Sequence, residues 1–212
     1  YMGKHRVMDA LTTLAFDFPR RSDYFTDELA AYLRMTRDEG MDPFKPQGSY
    51  AGAMGYGQFM PSSYLKWAVE FDGDGMRDLW NPVDAIGSVA NYFSVHGWRR
   101  GEPVAVRAEA SGAIGLKNGF DSRYSLATLS GDGIRPMGRL PMGEEVSLIR
   151  LDAAGGYQYW LGLNNFYVIT RYNHSSYYAM AVHQLAQALR ARHEGASDAR
   201  LTGLGAAWEP SL

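Results

Sequence analysis

The stretch 70–78 reads Glu-Phe-Asp-Gly-Asp-Gly-Met-Arg-Asp, and no other segment narrows the choice of fold as much. Carboxylates this crowded repel one another unless a hard cation neutralises them. With Glu70 as position 1, acids stand at positions 1, 3 and 5 (Glu70, Asp72, Asp74), a glycine (Gly75) at 6 and the backbone carbonyl of Met76 at 7. That is the opening of an EF-hand calcium loop. The ending departs from the pattern: position 12 is Asn81, and the next acid is Asp84. Asp84 falls in the first turn of the helix that Asn81-Pro82 should start, and from there it is expected to swing back as the closing ligand. Counting from Asp72 instead puts Arg77 where the turn glycine belongs, so that register is rejected. Glu70, Asp72, Asp74, Met76 and Asp84 are therefore expected to hold calcium as a structural clamp between two helices. The competing reading is a solvated acidic turn.

Charge excludes one broad class of partner. The formal net charge is −2 and no block of Lys or Arg occurs, so the basic stripe that nucleic-acid binding demands is missing. No apolar run is long enough to cross a bilayer. The absence of cysteine removes disulfides, thiolate metal sites and a thiol nucleophile. Apolar residues at 46% allow a sizeable core in one large domain or a domain with a small subdomain. The 14 tyrosines and 5 tryptophans supply flat faces of the kind that stack on sugar rings while keeping a polar tip, although core packing accounts for most of them.

Apolar residues at helical spacing (Val7, Leu11, Leu14, Ala15, Phe18) predict a buried helix over 5–18. Pro19-Arg20-Arg21 ends it. Ser22 is expected to cap a second helix reaching Glu39 and stopping at Gly40. A Pro- and Gly-rich loop covers 41–57. Pro61 opens a short helix to Val69, and Asn81-Pro82 opens another over 83–96. From Gly97 the texture changes. Short β-type runs at 104–106, 146–149 and 167–170, punctuated by Gly and Pro, predict a small antiparallel sheet. An amphipathic helix over 176–193, carrying Met180, Val182, Leu185 and Leu189, precedes a polar tail. The expected organisation is a helical part over 1–97, a β-subdomain over 98–165, a return to the helical core over 166–195 and a tail over 196–212.

Residues 48–64 alternate tiny and aromatic residues, Gly-Ser-Tyr-Ala-Gly-Ala-Met-Gly-Tyr-Gly-Gln-Phe-Met-Pro-Ser-Ser-Tyr. Glycines admit a ligand or a second backbone at close range. Ser49 and Gln58 offer neutral hydrogen bonds, and the Tyr and Phe rings offer stacking. A tight packing corner between helix and loop explains the same pattern.

The run G-A-M-G-Y-G-Q-F-M-P-S-S-Y, the D-G-D-G loop after it and L-W-N-P-V-D-A-I-G-S-V-A-N-Y-F together resemble the membrane-bound lytic transglycosylase B family. P-R-R-S-D-Y-F earlier, and G-Y-Q-Y-W and F-Y-V-I-T-R-Y-N-H-S-S-Y-Y-A-M later, fit the same family in order from Tyr1 to about His193. The resemblance implies a mainly α fold of the α+β kind: a lysozyme-like helical core with an EF-hand-like calcium loop and an inserted antiparallel β-subdomain. It implies peptidoglycan glycan strands as substrate, cleaved at the β-1,4 bond between N-acetylmuramic acid and N-acetylglucosamine with closure of a 1,6-anhydro ring. One glutamic acid acts first as acid and then as base. The family places that glutamate a few residues before the segment matching Tyr1-Met2-Gly3-Lys4, so it is expected ahead of Tyr1. Glu28, Asp38 and Glu39 read as a solvated helix face and are not given the role.

Carried over by position, Ser49, Gln58 and Phe59 match the family's groove around the acid, and Tyr92, Tyr172, Asn173 and Tyr178 match further groove positions. Arg20 and Arg21 match a pair near the peptide stem, with Tyr24 one helical turn on. The resemblance also implies a Gram-negative periplasmic enzyme, free or lipid-anchored to the outer membrane through a segment ahead of Tyr1, and cell-wall enzyme complexes as partners. A hydrolytic muramidase of similar fold and a non-catalytic, calcium-stabilised glycan-binding module remain the alternatives, because fold alone does not separate them.

Overall fold

The computed structural model describes residues 2–141 and 143–201, with 196–201 as backbone alone. The chain divides into two compact units, Tyr1–Val95 and His96–Leu212.

The first unit is helical. A two-residue strand, β1 (His5–Arg6), leads directly into α1 (Val7–Asp17), so the first helix begins two residues later than its periodicity suggests. Val7, Leu11 and Ala15 form its buried stripe. A 3-10 turn over Pro19–Arg21 follows, then α2 (Ser22–Asp38). Ser22 does not cap α2. It lies inside the helix, and its hydroxyl donates back to the Ala15 carbonyl, joining the two helices across the turn. β2 (Gln47–Gly48) pairs antiparallel with β1. α3 (Pro61–Trp67) has proline at its first position and ends before Val69. α4 (Pro82–Val95) starts as its sequence promises: the Asn81 side-chain oxygen accepts from the Val83 amide at 2.9 Å, and the Asn81 carbonyl takes the first helical bond.

The second unit is built on a four-stranded antiparallel sheet in the order β4 (Ile134–Pro136), β3 (Ala105–Ala110), β6 (Gly156–Gly162), β5 (Ser147–Ala153). α5 (Leu126–Gly131) is capped by Ser125. Alternation sends Ala108, Ile134, Leu148 and Leu161 to one buried cluster with Leu129 and Val146. Each large apolar side chain buried this way contributes about 1.5–3 kcal/mol.

The expectation of a β-type run at 167–170 is overturned, since these residues lie in α6 (Asn164–Tyr172). Val168, Ile169 and Thr170 are β-branched, yet all three are buried. Packing outweighs their weak local preference, and the Thr170 hydroxyl folds back onto the Tyr167 carbonyl at 2.7 Å. α7 (Ser176–Leu201) runs past His193, so part of the expected tail is helix and the remainder lies outside the described residues. Met180 is buried, but Leu185 and Leu189 are exposed. Both α6 and α7 fall in the unit that holds the sheet, not with residues 1–95. Among the described residues no helix is long and apolar enough to cross a membrane.

Candidate glycan-binding loop and acidic loop

Residues 47–60 are fixed by short backbone bridges. Gly48 pairs with His5 and bridges to Met54, and Met54 bridges to Phe59. The Ser49 hydroxyl accepts the amides of Ala51 (3.2 Å) and Ala53 (3.1 Å). Its two acceptor positions are thereby engaged, and its proton stays available for a ligand. Gln58 has φ +52, the one non-glycine residue with positive φ among those described. Its side-chain amide donates to the carbonyls of Gly55 (2.9 Å) and Met2 (3.2 Å). Both protons are used, so its oxygen is the atom left to accept. Strained backbone of this kind, held in place by its surroundings, gathers at binding and catalytic sites.

The loop is closed against the far end of the acidic segment. The Tyr56 amide donates to the Leu79 carbonyl at 2.9 Å, and the Trp80 indole donates to the Gln47 carbonyl at 3.1 Å. Gly55 makes this approach feasible: it has φ +64, and a Cβ there would stand 2.3 Å from the Leu79 oxygen. Gly55→Ala is therefore expected to destabilise the protein by more than about 3 kcal/mol, from backbone strain and overlap together. A urea midpoint within error of the parent would contradict that tight contact.

The rings divide in a way the sequence hid. Phe59 and Tyr92 are 3% and 8% exposed and pack together with Trp67. The expectation that Phe59 offers a stacking face is corrected: it backs the loop from inside. Tyr50 and Tyr56, at 77% and 56% exposed, carry the outward faces. Tyr56 and Gly57 line an apolar cavity of about 480 Å³ with Ile86, Val89 and Phe93 of α4.

Arg20 and Arg21 are exposed on the 3-10 turn. The Arg21 guanidinium lies 4.4 Å from the centre of the Tyr24 ring. Burial, and then the neighbouring Glu28 carboxylate, push the Tyr24 phenol pKa up, with Arg21 acting against them. In the second unit, Tyr172 ends α6, Asn173 is exposed immediately after it, and Tyr178 sits in the first turn of α7, where burial raises its phenol pKa.

Two acids read as solvated are not. Glu28 is 3% exposed, and its oxygens accept the Ser62 amide (2.9 Å) and the Ser62 hydroxyl (2.6 Å). It caps α3 from α2, placing negative charge where the helix dipole favours it. Glu39 is paired with Arg77, whose guanidinium lies 5.0 Å over the buried Tyr64 ring. Asp38 alone fits the solvated description, exposed and paired with Arg37.

In the acidic loop, ligand atoms of Glu70, Asp72 and Asp84 lie within 4.8 Å of one another. Asp84 has already turned back under the loop. It is 1% exposed, and its oxygens accept the amides of Phe71 and Asp78, each at 2.8 Å. Burial by itself would raise its pKa, but the amides of Asp78, Phe71 and Asp72 prevail and hold the carboxyl below the usual range. Gly73 and Gly75 both have positive φ, as a sharp loop turn requires. Asp74 stands outside the three-acid group and accepts the Met76 amide.

Comparison with known families decides the lineage, since residues 1–187 match the Transglycosylase SLT domain. The chain belongs to the transglycosylase SLT family. It is 59% identical over 188 residues to the membrane-bound lytic murein transglycosylase B of Escherichia coli K12, covering 89% of this chain and 52% of that protein. The fold is likewise that of the E. coli lytic transglycosylase Slt35 in complex with calcium, at TM-score 0.87 and 58% identity, covering 90% of this chain and 61% of that one. Pseudomonas aeruginosa SltB3 in complex with NAG-anhNAM-pentapeptide has TM-score 0.77 and 36% identity, covering 89% and 52%. This SLT chain thus spans about half the length of the curated relative it matches.

Proposed function

We propose that the protein is a peptidoglycan lytic transglycosylase, and that residues 48–64 hold the glycan strand at the bond to be cut. The observation that carries the reading is the loop itself. Ser49 keeps a free proton, Gln58 keeps a free acceptor, and the Tyr50 and Tyr56 rings face outward in a chain of the SLT family. Neutral hydrogen bonds beside flat rings suit an uncharged sugar better than an ionic ligand.

A single glutamic acid of the parent protein is proposed to act as the acid. Glu28 and Glu39 are committed to Ser62 and Arg77, and neither is given the role. The acid donates its proton to the glycosidic oxygen as the C1–O bond breaks, and the substrate's own N-acetyl oxygen stabilises the positive charge at C1. The resulting carboxylate then takes the proton of the muramyl 6-hydroxyl, whose oxygen bonds to C1 and closes the anhydro ring. No water is consumed. In this account Phe59 and Tyr92 support the loop from behind, Tyr172, Asn173 and Tyr178 add further glycan contacts, and Arg20, Arg21 and Tyr24 receive a peptide-stem carboxylate, for which a planar guanidinium is the fitting partner.

Glu70, Asp72, Asp74, the Met76 carbonyl and Asp84 are proposed to hold calcium. Each carboxylate oxygen that accepts an amide retains a second lone pair for a cation, so the hydrogen bonds seen in the loop are compatible with an ion. Bound there, calcium would neutralise the loop and tie it to α4 without entering the reaction. Calcium at about 100 times its dissociation constant should raise stability by about 2.7 kcal/mol. A melting temperature indifferent to both calcium and chelator would contradict the site. The relatives' names support a periplasmic setting, with or without a lipid anchor.

The parent protein, incubated with purified sacculi, should release muropeptides ending in 1,6-anhydromuramic acid, read by mass spectrometry. Reducing-end products alone would favour the hydrolytic muramidase instead.

A further inference from the structure

The second unit carries a concave site that the glycan loop does not involve. In β3 the residues Val106, Ala108 and Ala110 pack on the core, so alternation sends Arg107 and Glu109 to the opposite face. Register places Trp160 beside Arg107, and Arg135 directly opposite Glu109. Opposite charges facing each other across an antiparallel pair ordinarily meet. Here they do not: among the described residues Arg107, Glu109 and Arg135 form no ion pair. The three line a cavity of about 550 Å³, with Gln158 of β6, Ser111 and Met137 among its other walls. That volume lies within the usual range of small-ligand sites, about 300–1,000 Å³. The Arg107 guanidinium lies 5.8 Å from the centre of the Trp160 ring, which steadies it over the sheet.

We propose that this trough binds a short peptide bearing both carboxylates and an ammonium group. Arg107 and Arg135 take the carboxylates through their planar forks. Glu109, between them, takes the ammonium. Gln158, which alternation sets on the same face of β6 as Trp160, offers a neutral hydrogen bond to the peptide backbone. A purely anionic ligand such as phosphate is disfavoured because Glu109 repels it. An apolar ligand is disfavoured because it would strand three charges away from water. The ligand class follows from these charges and stands or falls separately from glycan cleavage.

Titration of the isotopically labelled chain with the tripeptide Ala-Glu-Lys, followed by amide NMR shifts, is expected to give saturable changes in β3, β4 and β6. Arg107→Gln and Arg135→Gln should each weaken binding about tenfold; both side chains are exposed, so the fold is retained. Glu109→Gln should abolish the preference for the free peptide over its N-acetylated, lysine-free counterpart. Three results would overturn the assignment: no saturable shift in these strands, an equal response to acetyl-Ala-Gln-Met-amide, or inorganic phosphate moving the same amides as strongly.

Discussion

Asp84→Ala is expected to lower stability by about 4 kcal/mol, because it strips the acceptor from two amides, each worth about 1–3 kcal/mol when left unmet. Those amides belong to Phe71 and Asp78, at opposite ends of the acidic loop, so a single side chain on α4 sets the loop's shape. Asp84→Ala should also erase the response to calcium. Asp84→Asn keeps one carbonyl acceptor and should fall between the two in urea denaturation. If Asp84→Ala retained both parental stability and calcium response, the loop would be organised by something else.

Glu28→Ala should also cost about 3 kcal/mol. Hydrogen bonds to a charged acceptor contribute about 1.5–3 kcal/mol each, and Glu28 supplies two to Ser62 while capping α3. Its removal loosens α3 directly after the loop that carries Ser49 and Gln58. Glu28→Gln retains one acceptor and should recover part of the loss. A fully exposed acid would respond within about 0.5 kcal/mol, so equal melting temperatures for Glu28→Ala and the parent would show that Glu28 does not hold α3.

The contrast between these two acids explains how far the sequence could be read. The position of Asp84 was legible because its setting is local: glycines and acids at fixed spacing describe a loop, and Asn81-Pro82 marks the helix that returns the carboxylate to it. Glu28 was not legible, because nothing within α2 shows that Ser62, far along the chain, comes to meet it. The same limit hid Phe59. Its neighbours Gln58 and Met60 give no sign that its ring turns inward towards Tyr92. Tyr50 and Tyr56 carried a readable signal, since each stands between small residues (Ser49 and Ala51, Gly55 and Gly57) too slight to cover a ring. In the second unit, Val168-Ile169-Thr170 misled for the opposite reason: local β preference is weak, and burial of one helical face overrode it. The unpaired Arg107, Glu109 and Arg135 were invisible until strand register set them on one face.

Whether water enters the broken bond can be read from oxygen-18 labelling. Sacculi digested by the parent protein in water enriched in oxygen-18 should give 1,6-anhydromuramyl products with no label at C1, each lighter by one water than a hydrolysis product. Products with oxygen-18 at the new muramyl reducing end would contradict the account and identify the enzyme as a hydrolase.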